Sequence, residues 1–176
     1  MEPFSSNIIF WDSEFSNLDP YKGEILSIGM VKLTGEELYF EVAHDGEISP
    51  WVSVNVLPLL TEPKVSREEA IQKIISFVGA GSPFLVSYVT EFDTPFLYKL
   101  FGVNDLKRNK DLPFHWISLD FASMLFTRGI DPESFSVNHK DSLVKKLGIE
   151  TTGYREHHAL DDARLLREVY MKLVIQ

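Results

Sequence analysis

The run Ile8-Ile9-Phe10-Trp11 is unbroken, apolar and rich in β-favouring side chains, and it gives way at once to Asp12-Ser13-Glu14. A continuous apolar stretch this short reads as a buried central strand whose polar end emerges at the edge of a sheet. The next two runs, Glu24 to Leu33 and Glu37 to Val42, are joined by Thr34-Gly35-Glu36, a connection that favours an antiparallel hairpin. After them the pattern alternates. Ser66 followed by Glu69 has the form of a capping box, and Ala70, Ile71, Ile74, Ile75 and Val78 recur at helical spacing up to Gly79. Phe84 to Tyr88 reads as a strand, Phe92 to Phe101 as a helix ended by Gly102, and Trp116 to Leu119 as a final strand. Short helices near Phe121 to Phe126 and Ser142 to Leu147 precede a C-terminal helix over about Ala159 to Leu173. Hairpin strands followed by alternating helix and strand define an α/β fold, a mixed sheet with helices on its faces. The segment from Ala43 to Pro63 is the least regular and reads as a surface excursion.

At 176 residues and 44% hydrophobic, the chain is long enough for one substantial core and short for two, so a single domain over residues 1–176 is expected. No apolar stretch reaches membrane-span length and the first residues lack a basic-then-apolar leader, which predicts a soluble, cytoplasmic protein with no membrane partner. The absence of cysteine excludes disulfides and thiolate metal sites, leaving oxygen and imidazole as the only ligand chemistry. A formal net charge of -9 argues against a broad basic face gripping long duplexes. A carboxylate-lined site loaded with cations can still receive a short strand end, because the ions reverse the local charge.

Asp12 and Glu14 are two apart at a strand end, so alternation places them on one side, where two hard oxygen ligands suit Mg²⁺ or Mn²⁺. Taken alone, the pair is better explained as a polar turn after a strand, which is commonplace. Asp93 lies on the same helical face as Phe96, Leu97 and Leu100, and Asp162 shares a stripe with Ala159, Leu166, Val169 and Leu173. A carboxylate on an apolar stripe requires a partner, although either one taken singly could serve a helix N-terminus. Asp161 is rotated about 100° from Asp162, toward a more polar flank. His157, five residues before Asp162, falls on the entering loop, where it could turn toward the same cavity as a general base or remain a surface residue.

Taken in order, Asp12-Ser13-Glu14, then Phe92-Asp93 with Phe96-Leu97, then His157-His158-Ala159-Leu160-Asp161-Asp162-Ala163 resemble the three motifs of the DEDDh exonucleases, a family that includes proofreading exonucleases, ribonuclease T and oligoribonuclease. The resemblance implies a ribonuclease H-like mixed β-sheet flanked by helices. It also implies two divalent ions, Mg²⁺ or Mn²⁺, on Asp12, Glu14, Asp93 and Asp162, with His157 as the base in 3′-to-5′ phosphodiester hydrolysis that releases nucleoside 5′-monophosphates. Ile25 to Val31, Trp51-Val52 and Val56-Leu57-Pro58 look most like a compact bacterial and phage branch of 3′-exoribonucleases. That closer likeness implies single-stranded or 3′-overhang nucleic acid as the partner, RNA ahead of DNA, and admits a homodimer. Phe15-Ser16 stands where many relatives have Thr-Thr-Gly or Pro-Thr-Gly, and Val89 where an Asn is frequent. Phe15 and Ser16 would lie along the substrate path, Phe15 either stacking on the terminal base or packing in the core. The competing readings are a DNA proofreading or repair exonuclease and a binding module that has lost catalysis.

His158, His44, His115 and His139 take packing or surface roles by default. Asp120 reads as a helix N-cap. Lys107, Arg108 and Lys110, with Lys145 and Lys146, read as solvated basic clusters.

Overall fold

Strand β1 (Ile8–Phe15) runs through the middle of the molecule and carries two apolar faces. The computed structural model describes residues 3–103 and 112–174. Around β1 the chain lays down β2 (Ile25–Lys32), β3 (Glu37–Val42), helix α1 (Pro50–Asn55), β4 (Lys64–Val65), helix α2 (Arg67–Val78), β5 (Phe84–Ser87), helix α3 (Thr90–Leu100), β6 (Leu119–Asp120), and helices α4 (Phe121–Phe126), α5 (Leu143–Lys146) and α6 (Ala159–Val174). The six strands are ordered β4-β3-β2-β1-β5-β6. β1, β2 and β3 pair antiparallel, while β5 lies parallel to β1 and β6 parallel to β5. This is the mixed sheet of the ribonuclease H-like fold.

Alternation along β1 sorts the core into two layers. Ile9, Trp11 and Phe15 join the cluster beneath α2 and α3, with Ile28, Met30, Ile74 and Leu97. Ile8 and Phe10 face the other way, toward Val86, Phe121, Leu166 and Val169 under α4 and α6. Asp12 and Glu14 continue the Ile8 and Phe10 side. They therefore point at the layer that carries α6.

Ser66 caps α2 by accepting from the Glu69 amide, as the capping pattern predicts. Gly79, Gly102 and Gly148 follow helices in the left-handed region (φ 69°, 69° and 62°), which a helix end of this kind requires. Gly29 is needed for a different reason. A Cβ there would come within 2.3 Å of the Ala159 carbonyl, so only glycine lets β2 accept the first turn of α6. That contact fixes the height of Asp162 above the sheet.

Three expectations need correction. The stretch from Ala43 to Pro63 is not merely a surface excursion, because Ser49 caps α1, Pro50 opens it, and Val52 and Val56 bury against Leu26. The final strand is limited to Leu119–Asp120, with Trp116 and Ile117 turned outward. Asp161 lies on α6 as expected, yet its side chain is buried between two arginines. Asp120 caps α4, and Lys145 and Lys146 lie exposed on the last turn of α5. Lys107, Arg108 and Lys110 fall outside the described residues. No helix among the described residues is long and apolar enough to cross a membrane.

Candidate active site

The polar end of β1, the first turn of α3 and the start of α6 open onto one cavity of about 490 Å³. Asp12, Glu14, Asp93, His157 and Asp162 all line it. Asp12, Glu14 and Asp162 each offer a carboxylate oxygen, and the three oxygens lie within 4.8 Å of one another. Three hard anionic oxygens at this separation form a donor set suited to Mg²⁺ or Mn²⁺.

Asp93 lines the same cavity but is not one of the three acids whose oxygens meet. Its Oδ1 accepts from the Ser13 backbone N–H at 3.1 Å and from Ser13 Oγ–H at 2.8 Å, so the residue between the two β1 acids aims the acid on α3. On Asp162, Oδ1 accepts from the Tyr154 hydroxyl. Each helix-borne carboxylate is thus anchored by one hydroxyl.

The electrostatics are those of acids crowded without countercharge. Burial, followed by Asp93, Asp162 and Glu14, pushes Asp12 well above the usual carboxylate range, and burial with Asp162 and Asp93 does the same to Glu14. Burial carries Asp93 up to about 7 against the hydrogen bonds from Ser13. Asp162 is also raised to about 7 by burial, with Tyr154 pulling down and Glu156 and Asp161 pushing up. Such a cluster holds protons until cations replace them.

The two adjacent histidines face different surroundings. His157 adopts φ 65° on the loop before α6, lines the cavity and meets Trp51 edge-on at 4.9 Å between ring centroids. His158 is buried, stacks on Tyr39 at 4.5 Å, and its Nδ1 finds no hydrogen-bond partner among the described residues. Burial depresses the His158 pKa, and Arg155 nearby adds to this. The geometry packs His158 against Tyr39 and leaves His157 on the cavity that the acids line.

Phe15 lines the same cavity, whereas Ser16 is not among its lining residues. Phe15 is 8% exposed and stacks on Phe96 at 4.0 Å, because a residue one step from Glu14 must point to the opposite face of the strand. Ser16 is fully buried, and its hydroxyl accepts from the Glu24 amide while its carbonyl takes the Ser49 amide. It braces the base of α1. The aromatic rings exposed at the cavity mouth are Trp51, 53% exposed, and Phe92, 50% exposed. A tryptophan in an irregular segment carries no periodic signal, so sequence reasoning passed over Trp51 as a site residue.

Residues 9–170 match the family model RNase_T, described as exonuclease. The PolC-type DNA polymerase III of Thermotoga maritima is 29% identical over 175 residues, which cover 96% of this chain and 12% of that polymerase. DNA polymerase III subunit epsilon of Rickettsia conorii is 26% identical over 175 residues, 94% of this chain and 73% of the subunit. Among solved structures, E. coli exonuclease I in complex with a dT13 oligonucleotide has a TM-score of 0.67 at 18% identity, covering 94% of this chain and 41% of exonuclease I, a likeness of fold. The chain therefore spans a small part of the PolC-type relatives and under half of exonuclease I. Members of the matched family work with two divalent ions, and the acidic triad here is placed to bind metal. With the family model covering nearly the whole sequence and its acids lining one cavity, the chain belongs to the DEDDh exonuclease family.

Proposed function

We propose that this chain, as a single domain over residues 1–176, is a cytoplasmic metal-dependent 3′-to-5′ exonuclease that removes nucleoside 5′-monophosphates from single-stranded 3′ ends. The observation that carries the proposal is the convergence of Asp12, Glu14 and Asp162 oxygens within 4.8 Å, with Asp93 and His157 on the same cavity. Asp12, Glu14, Asp93 and Asp162 would hold the ions. When bound, two divalent ions supply Lewis-acid charge to the scissile phosphate and to the departing 3′ oxygen. An imidazole nitrogen of His157 accepts the proton of the attacking water. The half-exposed rings of Trp51 and Phe92 offer stacking faces to the terminal bases, a contact worth about 1–3 kcal/mol per base. Val52, Val56, Val89 and Leu165 form an apolar part of the cavity wall beside them.

Different observations favour the two polymers. The relatives are named as a PolC-type DNA polymerase III and a DNA polymerase III subunit epsilon, which supports DNA ends. The segments Ile25 to Val31 and Trp51 to Pro58 resemble the exoribonuclease branch, which supports RNA ends and a homodimer. Matched 5′-labelled RNA and DNA oligonucleotides, single-stranded or with 3′ overhangs, incubated with Mg²⁺ or Mn²⁺, decide the matter. Faster shortening of RNA supports the exoribonuclease reading, equal or faster shortening of DNA supports the DNA exonuclease, and no shortening of either overturns the enzymatic assignment.

A further inference from the structure

The loop that enters α6 is fastened to the helix at two consecutive acids, and only the second of these acids belongs to the metal cluster. Tyr154 donates its hydroxyl to Asp162 Oδ1. Arg155 donates to Asp161 Oδ2 through both its backbone N–H at 3.3 Å and its Nε at 2.8 Å. The second oxygen of Asp161 accepts from Arg164 at 2.9 Å, and Arg164 in turn grips Glu37 on β3. Asp161, 7% exposed, is therefore the buried hub through which loop, helix and sheet are tied together.

Two residues beyond Arg155 stands His157 in the left-handed region, a conformation that a non-glycine residue keeps only when its surroundings hold it there. The clasp supplies that restraint. Asp162 is restrained in a different sense: Oδ1 accepts from Tyr154 while the same carboxylate offers an oxygen to the cluster it forms with Asp12 and Glu14. Three hydrogen bonds from two neighbouring loop residues thus bear on two different features of the site.

We propose that Tyr154 and Arg155 are positioning residues with separate duties, Tyr154 orienting the Asp162 carboxylate toward the cation site and Arg155, through Asp161, holding His157 at the cavity. The division of labour rests on the functional reading above, but the Tyr154 half concerns cation binding alone. Tyr154→Phe removes one hydroxyl and keeps the ring packed beside α6. A calorimetric titration of the full chain with Mn²⁺ alone should show affinity weakened about 10- to 100-fold, the usual effect of losing a hydrogen bond to a metal-binding group. Saturating Mn²⁺ should restore kcat to near wild type in this variant. Arg155→Gln should do the reverse, leaving Mn²⁺ affinity unchanged and lowering kcat at saturating Mn²⁺ by at least about tenfold, in line with partial loss of a general base. Wild-type Mn²⁺ affinity in Tyr154→Phe would overturn the proposal, as would equal loss of affinity in both variants, which would mean that the loop acts only as packing. If the wild-type chain shortens no oligonucleotide, the functional reading fails, and the titration still decides the role of Tyr154.

Discussion

Removing one negative charge from the cavity should stabilise the metal-free protein while abolishing its proposed activity, and Asp93 is the residue at which the effect can be isolated. Asn at this position keeps an oxygen that can accept from Ser13 N–H and Oγ–H, so the change is close to the removal of a charge alone. Burial raises Asp93 from 3.8 to about 7, and each pH unit of that rise corresponds to about 1.4 kcal/mol. The ionised carboxylate therefore costs the folded, metal-free protein about 4 kcal/mol. The direction is opposite to that of a salt-bridged acid. Because the folded-state value lies above the unfolded one, the native state binds the extra proton, and stability falls as pH rises between the two values. Below about pH 4 the Asp93 carboxyl is neutral in both states and wild type and Asp93→Asn should match, since nothing distinguishes a neutral acid from an amide there. The gap should then open by about 1.4 kcal/mol per pH unit and level off above about pH 7. Urea unfolding of both proteins in EDTA, from about pH 4 to about pH 8, reads this gap, and Asp12 and Glu14 add to it in the same direction because they lose the repulsion of Asp93. In a domain of this size about 4 kcal/mol amounts to roughly 8–16 °C in Tm. Millimolar Mn²⁺ should close the gap by stabilising the wild type more than the variant. A gap that does not change with pH, or a variant less stable than wild type at about pH 8, would refute the reasoning.

Three further outcomes follow from the geometry. His157→Ala should lower kcat about 10²- to 10⁴-fold with Mn²⁺ affinity intact, whereas His158→Ala, which removes a ring stacked on Tyr39, should lower Tm and leave kcat close to wild type; kinetics and melting of the two variants compare them. Trp51→Ala should raise KM for a single-stranded oligonucleotide about 5- to 100-fold with a smaller change in kcat, as loss of one stacking face would, read from steady-state kinetics. Gly29→Ala should destabilise the protein by about 1–3 kcal/mol or more and weaken Mn²⁺ binding as well, because the new Cβ lies 2.3 Å from the Ala159 backbone and must push the start of α6, with Asp162, off the sheet; unfolding and metal titration test the two effects together.

What could be read from the sequence was whatever repeats with a short period. The apolar run of β1 located the centre of the sheet, and its period of two placed Asp12 and Glu14 on one face. The same rule sends the Phe15 ring against Phe96, the packing half of the reading made for it, while the residue still borders the cavity. The period of α6 put Asp162 on the stripe of Ala159, Leu166 and Val169, all of which are buried. Helix α1 was signalled by Ser49 at the cap and Pro50 at the first position, but six residues are too few for a periodic pattern, so the segment passed as irregular.

The remainder was hidden because it depends on partners far apart in the chain or on loops without pattern. Ser16 looks like a loop residue until Ser49, thirty-three positions on, donates to its carbonyl and seals it inside. Asp161 looked solvent-facing because an acid beside a polar helix flank usually is, yet Arg155 and Arg164 converge on both of its oxygens, and burial, which pushes its carboxyl up, is outweighed by Arg155 and His158, which hold it below the usual range. Tyr154 gave no signal at all, being a single tyrosine in a turn. Its significance lies in a symmetry that only the fold reveals. The acids on β1 are positioned by backbone alternation and need no help, whereas the acids on α3 and α6 arrive on helices that pack independently of one another. Each of these two is aimed by a hydroxyl from another segment, Ser13 for Asp93 and Tyr154 for Asp162. A site assembled from three separate elements is therefore specified in two parts, the carboxylates by motif and their orientation by hydroxyls, one of them, Ser13, between the acids of the first motif and the other, Tyr154, outside all three.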